Sequence, residues 1–187
     1  YNALMHIQPR SVLKEKIRFS RTFCIGVLAF LMFLVLTVSG LLLMFFYVPE
    51  VDRAYRDMKD LAYVIPFGRF MRNIHRWSAH AMVVFVVLHM ARVFYHKAYR
   101  HPKEFNWVIG VACLVLTLLL SFTGYLLPWD QLALWAVTVG NNMGAYAPVF
   151  GDQVSFVLIG GVQITADTLL RWYTLHVLFI PFIIMSP

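Results

Sequence analysis

Three histidines sit in stretches apolar enough to lie in lipid. His75 and His89 bracket "HRWSAHAMVVFVVLH", and His176 lies within "TLLRWYTLHVLFIPF". An imidazole in hydrocarbon is costly unless both of its nitrogens are satisfied, so such residues point to a metal ligand, a proton path or a buried hydrogen bond. The spacing favours the first. His75 and His89 are fourteen residues apart, which on a helix places them within about 40° of one face and about 21 Å apart along the axis. The same interval separates Gly26 from Gly40 and Gly110 from Gly124. Glycines at two matched heights let a flat, bulky group approach a helix backbone closely. Together they describe a bundle holding two stacked porphyrins, with histidines as axial ligands and glycines making room. His176 stands near the start of its segment, as His75 does in its own. The two are therefore level and can close one bis-imidazole haem, which leaves the iron no open position and suits electron transfer. Arg72 and Arg76 flank His75, and Arg92 follows His89 by three residues. Arginines in or beside a membrane span need counter-ions, which haem propionates would supply.

The remaining candidates have plainer readings. His80 lies about 140° round the helix from His75 and is expected to pack or hydrogen-bond locally. His96 reads as interfacial, His6 and His101 as surface residues, and Cys113 as a packing residue.

The elements that must position these residues are helices in lipid. Of the 187 residues 60% are hydrophobic and only 13% charged, and the mean hydropathy is +0.70. A soluble domain carries about a quarter charged residues. The net charge of +7 follows loops rather than one face, so membrane topology accounts for it and nucleic acid is not implied. Two cysteines in apolar runs make no disulfide framework. No small-residue cleavage site follows the basic start, so a cleavable signal is not expected. Four apolar segments are long enough to span: A (23–47), B (71–96), C (106–127) and D (167–187), after an N-terminal segment 1–22. The fold class expected is all-α, an integral membrane four-helix bundle. Arg10, Lys14, Lys16, Arg18 and Arg21 precede A, and Lys97, Arg100 and Lys103 lie between B and C, whereas 130–167 holds no lysine or arginine. The positive-inside rule puts the N-terminus and the B–C loop on the cytoplasmic (n) side and His75 and His176 near the opposite (p) side. Trp107, Trp129, Trp135 and Trp172 fall near span ends, as interfacial anchors do, and 141–151 reads as a short surface helix or turn.

At this point "RNIHRWSAH", "HMARVF", "HPKEFNWVIGV", "FTGYLLPWDQ" and "TLLRWYTLHVLFIPF" can be set beside a known family. In order and spacing the chain resembles, over nearly its whole length, cytochrome b6 and the N-terminal four-helix part of cytochrome b in Rieske/cytochrome b complexes. The resemblance implies two b-type haems in a quinol–cytochrome c or plastocyanin oxidoreductase. One quinol electron would pass to a Rieske iron–sulfur protein and the other through the b haems toward a quinone on the n side, with proton translocation. It also implies a c-type cytochrome partner, a dimeric complex and surrounding membrane lipid. Cys24, two residues before Gly26 and fifty-one before His75, stands where the b6 type attaches a third haem by one thioether. No Cys-x-x-Cys-His is present, so ordinary c-type attachment is excluded. The family's Pro-Glu-Trp-Tyr motif is absent from this chain; in the b6 type it belongs to a separate C-terminal cytochrome b subunit of the subunit IV type. By family position Tyr125 and Ala136, with 136–148, form one wall of a quinol pocket. The stretch 141–163 departs from the plant pattern, which favours a bacterial inner membrane over a thylakoid. The alternative is a di-haem membrane anchor of a quinone-linked dehydrogenase or hydrogenase. Such anchors lack the paired glycines and the Pro128-Trp129-Asp130 segment.

One ligand is unaccounted for. A mate for His89 on D would fall fourteen or fifteen residues after His176, past Pro187. The expectation is a histidine there, at fifteen rather than fourteen, on a longer natural chain.

Overall fold

The computed structural model describes residues 23–186 except 147 and 162. The N-terminal segment, with His6 and its five basic residues, lies outside the described residues, as does Pro187. Every regular element described is helical. Among the described residues four spans are long and apolar enough to cross a membrane: α1 (Ile25–Met44), α3 (Gly68–Tyr95), α4 (Glu104–Leu126) and the run Ala166–Met185. That run is α7 (Ala166–Thr174), a π turn over Leu175–Phe179, and α8 (Ile180–Met185). Pro181 has no N–H to offer Val177 and its ring crowds that carbonyl, so the helix widens just ahead of it. His176 sits in the widened turn.

α1 packs along α3 for most of its length. Large apolar side chains point outward all round the bundle, Val38 at 61% exposure, Val84 at 54% and Val115 at 58% among them. In lipid this carries no penalty, because acyl chains are as apolar as the side chains they meet.

Three further helices lie between the spans: α2 (Val51–Tyr63), α5 (Gln131–Ala145) and α6 (Gly151–Ile159). α2 turns Ala54, Asp57 and Leu61 inward, three and four residues apart on one face. Its buried Asp57 carboxylate accepts from Val48 N at 3.0 Å and faces Arg53 at 3.8 Å. α5 starts where Pro128 ends α4. Trp129 takes a left-handed φ of 51°, and the Asp130 carboxylate caps the new helix by accepting from Ala133 N at 2.8 Å. Between α6 and α7, the buried Thr168 hydroxyl accepts from Thr165 N and donates to Ile159 O.

The described core lies at the His75 end. Tyr47, Ala54, Leu126, Trp129, Val137, Leu169 and Trp172 pack together there. The Tyr47 hydroxyl donates to Leu127 O at 2.7 Å, which fixes the end of α1 to the end of α4. Burial, with the Tyr173 hydroxyl and the Asp57 carboxylate beside it, pushes the Tyr47 phenol well above its ordinary pKa.

Candidate functional site

Two of the three singled-out histidines come together. The rings of His75, on α3, and His176, in the π turn, have centres 6.3 Å apart and planes at 67°. An imidazole nitrogen lies about 1 Å from its ring centre. Facing nitrogens can therefore stand about 4 Å apart, which is room for one metal ion bonded to each at about 2 Å.

Hydrogen bonds at the far side of each ring decide which nitrogen is available. His75 Nδ1 is 2.9 Å from Ser39 Oγ, and that hydroxyl donates its proton to Val35 O at 2.7 Å. His176 Nδ1 is 3.0 Å from Thr123 Oγ1, which donates to Leu120 O at 2.9 Å. A hydroxyl has one proton, and with that proton given to the helix carbonyl each oxygen is an acceptor for an Nδ1–H; at His176 the Leu120 carbonyl, 3.1 Å from Nδ1, can only accept and favours the same tautomer. That tautomer leaves the Nε2 lone pair of both rings free to bind a metal.

The glycines face these rings. A Cβ added at Gly40 would lie 3.2 Å from His75 Cε1, at Gly124 2.6 Å from His176 Cε1, and at Gly26 3.1 Å from His89 Cε1. Three of the four glycines thus make way for the edge of a candidate ligand rather than leaving open space. Gly110 differs, because its neighbour is Met90 Sδ at 3.2 Å. His89 Nδ1 is buried and has no hydrogen-bond partner among the described residues. The described residues thus give this ring no support of the kind that Ser39 and Thr123 give the other two.

The other candidates are placed as follows. Cys24 is half-buried at the N-cap of α1, two residues from the glycine that meets His89, with a left-handed φ of 47°. Arg72 is half-buried and Arg76 exposed. Neither has a carboxylate within ion-pair distance among the described residues. Arg92 is half-buried in the last turn of α3, beyond His89. Tyr125 is exposed, whereas Ala136 packs against the core at the His75 end. A cleft of about 430 Å³ opens at that end, lined by Tyr55, Trp129, Asp130, Gln131 and Leu132; neither Tyr125 nor Ala136 lines it. His80 stacks edge-on with Trp77 at 5.7 Å, His96 Nδ1 meets Arg92 O at 2.9 Å, and His101 lies 3.3 Å from Glu104.

Sequence reasoning passed over Ser39 and Thr123. A signal was present: each stands immediately before one of the two glycines at His75 height, as Ser39-Gly40 and Thr123-Gly124.

The comparisons with known proteins bear on what such a bundle is. The model of the family "Cytochrome b/b6/petB" matches residues 12–186. The chain belongs to the cytochrome b/b6 family. It is 41% identical over 159 residues to cytochrome b6 of Heliomicrobium gestii, covering 85% of this chain and 75% of that protein. It is 39% identical over 160 residues to the menaquinol:cytochrome c reductase cytochrome b subunit of Bacillus subtilis (strain 168), covering 85% and 71%. Among solved structures, a chain of a hyperthermophilic respiratory Complex III superposes with a TM-score of 0.78 at 30% identity. That match covers 88% of this chain and 44% of the other, so this chain spans under half of that protein. Membership favours the cytochrome b6 reading over the di-haem anchor of a dehydrogenase or hydrogenase. It also implies b-type haem, and the tautomers, the ring separation and the glycine-lined ring edges fit that group.

Proposed function

We propose that this chain is the cytochrome b6-type electron-transfer subunit of a quinol–cytochrome c (or plastocyanin) oxidoreductase. The observation that carries the reading is the His75–His176 pair, level in the bundle and 6.3 Å apart, with both Nδ1 atoms engaged. A haem held between these two imidazoles would supply one-electron transfer. His75 and His176 would hold the p-side haem, and His89 the n-side haem. Gly26, Gly40 and Gly124 keep the ligand edges unobstructed, whereas Gly110 faces the Met90 side chain rather than a ring. Arg72 and Arg76 hold propionates at one face and Arg92 at the other. Cys24 attaches a third haem by one thioether on the n side. Tyr125 and Ala136 contribute one wall of the quinol pocket against a C-terminal cytochrome b subunit of the subunit IV type. A Rieske iron–sulfur protein and a c-type cytochrome complete the electron path, in a dimeric complex of a bacterial plasma membrane that couples electron flow to proton translocation.

The test is to purify the complex from its native membrane and record a reduced-minus-oxidised spectrum, quinol:cytochrome c turnover and the neighbouring subunits. Two b haems, turnover, and a co-purifying Rieske protein are expected. A peripheral dehydrogenase or hydrogenase in place of the Rieske protein would restore the membrane-anchor reading.

A further inference from the structure

The two ends of the bundle differ in one residue type. At the His75 end each glycine follows a hydroxyl, Ser39-Gly40 and Thr123-Gly124. At the His89 end each follows an isoleucine, Ile25-Gly26 and Ile109-Gly110. In a helix, a residue adjacent to the glycine that faces a ring stands about 100° round from it, near enough to reach the ring's flank. The structure shows that reach in use. Ser39 and Thr123 are 6% and 0% exposed, and their oxygens lie 2.9 and 3.0 Å from His75 Nδ1 and His176 Nδ1. At the other end His89 Nδ1 is buried with no partner among the described residues.

We propose that Ser39 and Thr123 are positioning residues that tune a haem held between His75 and His176, lowering its reduction potential and fixing the crossed orientation of its two ligand planes. The inference rests on the haem-pair reading above. An Nδ1–H that donates to an oxygen makes the opposite Nε2 a more basic ligand. A more basic axial ligand favours the more highly charged ferric ion, so the haem becomes harder to reduce. Each hydroxyl can act as the acceptor, because its own proton has a helix carbonyl to go to: Val35 O or Leu36 O for Ser39, Leu120 O for Thr123. The hydroxyls are also anchored to different helices, Ser39 on α1 and Thr123 on α4. They hold their rings independently, which keeps the planes at 67°. For His176 the Leu120 carbonyl, 3.1 Å from Nδ1, is a second acceptor on the same helix. It reinforces the same tautomer.

The experiment is a redox titration of the intact complex carrying Ser39→Ala, Thr123→Val or Thr123→Ser, with low-temperature electron paramagnetic resonance on the oxidised samples. Alanine and valine remove the hydroxyl acceptor, leaving His176 the Leu120 carbonyl alone; serine keeps the hydroxyl. Ser39→Ala and Thr123→Val should raise the potential of the same b haem, the one lost in His176→Leu. Its reduced-to-oxidised ratio at a fixed ambient potential should rise about two- to tenfold, the usual net worth of one hydrogen bond. The other b haem should not move. The low-spin ferric signal of the tuned haem should also change, because its anisotropy depends on the angle between the ligand planes. Thr123→Ser should keep the wild-type potential and signal. If Thr123→Val sheds the haem, its retention in Thr123→Ser supports the proposal, and loss in both overturns it. An unchanged or lowered potential with both haems retained also overturns it, while leaving the haem pair intact. Failure of the haem pair would show separately, as two unaltered b haems in His176→Leu.

Discussion

His75 and His176 lie 101 positions apart in the chain, yet their rings face each other with centres 6.3 Å apart. Three local features bring this about. α3 runs unbroken through His75, so its ring projects at a fixed height beside Gly40 of α1. The π turn ahead of Pro181 sets the direction of His176. Ser39 and Thr123 hold the two rings from opposite helices.

The glycines at ring height should not be equivalent. A Cβ at Gly124 would meet His176 Cε1 at 2.6 Å, and that ring is already held by Thr123. Overpacking of this kind costs about 1–3 kcal/mol. Gly124→Ala should therefore weaken or remove one b haem. Gly110→Ala meets only the flexible Met90 side chain and should retain both. Haem-to-protein ratios of the two purified variants check this; equal retention would contradict the placement of Gly124.

The Tyr47 latch should be alkali-sensitive. Its folded pKa is raised by burial, then by Tyr173 and Asp57. The unfolded phenol ionises near its ordinary value of about 10. The contribution is thus fully present below pH about 10 and is lost as pH rises through the folded value. Tyr47→Phe removes the bond to Leu127 O, worth about 1 kcal/mol. Melting temperatures across alkaline pH should show the wild type losing its advantage over Tyr47→Phe above pH about 10. An advantage that grew there would reverse the sign.

Cys24 should carry covalent haem. After denaturing electrophoresis the wild-type subunit is expected to retain haem peroxidase staining, and Cys24→Ser to lose it. A wild-type band that never stains would return Cys24 to the role of a packing residue.

Inhibitor-resistance mutations for the p-side quinol pocket should include positions on 136–148 and at the end of α4, Tyr125 among them. Selection that returns only positions elsewhere in the complex would count against this chain as a pocket wall.

Much of the bundle was legible because lipid imposes length: the four spans follow from runs of apolar residues, and the all-α class from the need to satisfy every backbone group inside the bilayer. The histidine and glycine intervals were legible because a helix converts spacing into height and face. Other features were hidden for physical reasons. α2 mixes both signs of charge and buries Asp57, so its inward face did not look apolar. In α5 and α6 apolar residues such as Trp135, Val139 and Phe156 are exposed, which blurs the period that marks a surface helix. Ser39 and Thr123 look like ordinary helix hydroxyls bonded back to their own turn, which they also are. Only the partner across the bundle reveals the second bond. Gly110 fits the glycine interval yet faces Met90, because an interval fixes height and leaves the neighbour open.

The central claim is that His75 and His176 ligate one haem between them. The most direct measurement is the b-haem content and redox titration of the intact complex bearing His176→Leu. One b haem should be lost, the same one that His75→Leu removes, while the haem associated with His89 keeps its spectrum and potential. Two b haems with unchanged potentials in His176→Leu would contradict the pairing.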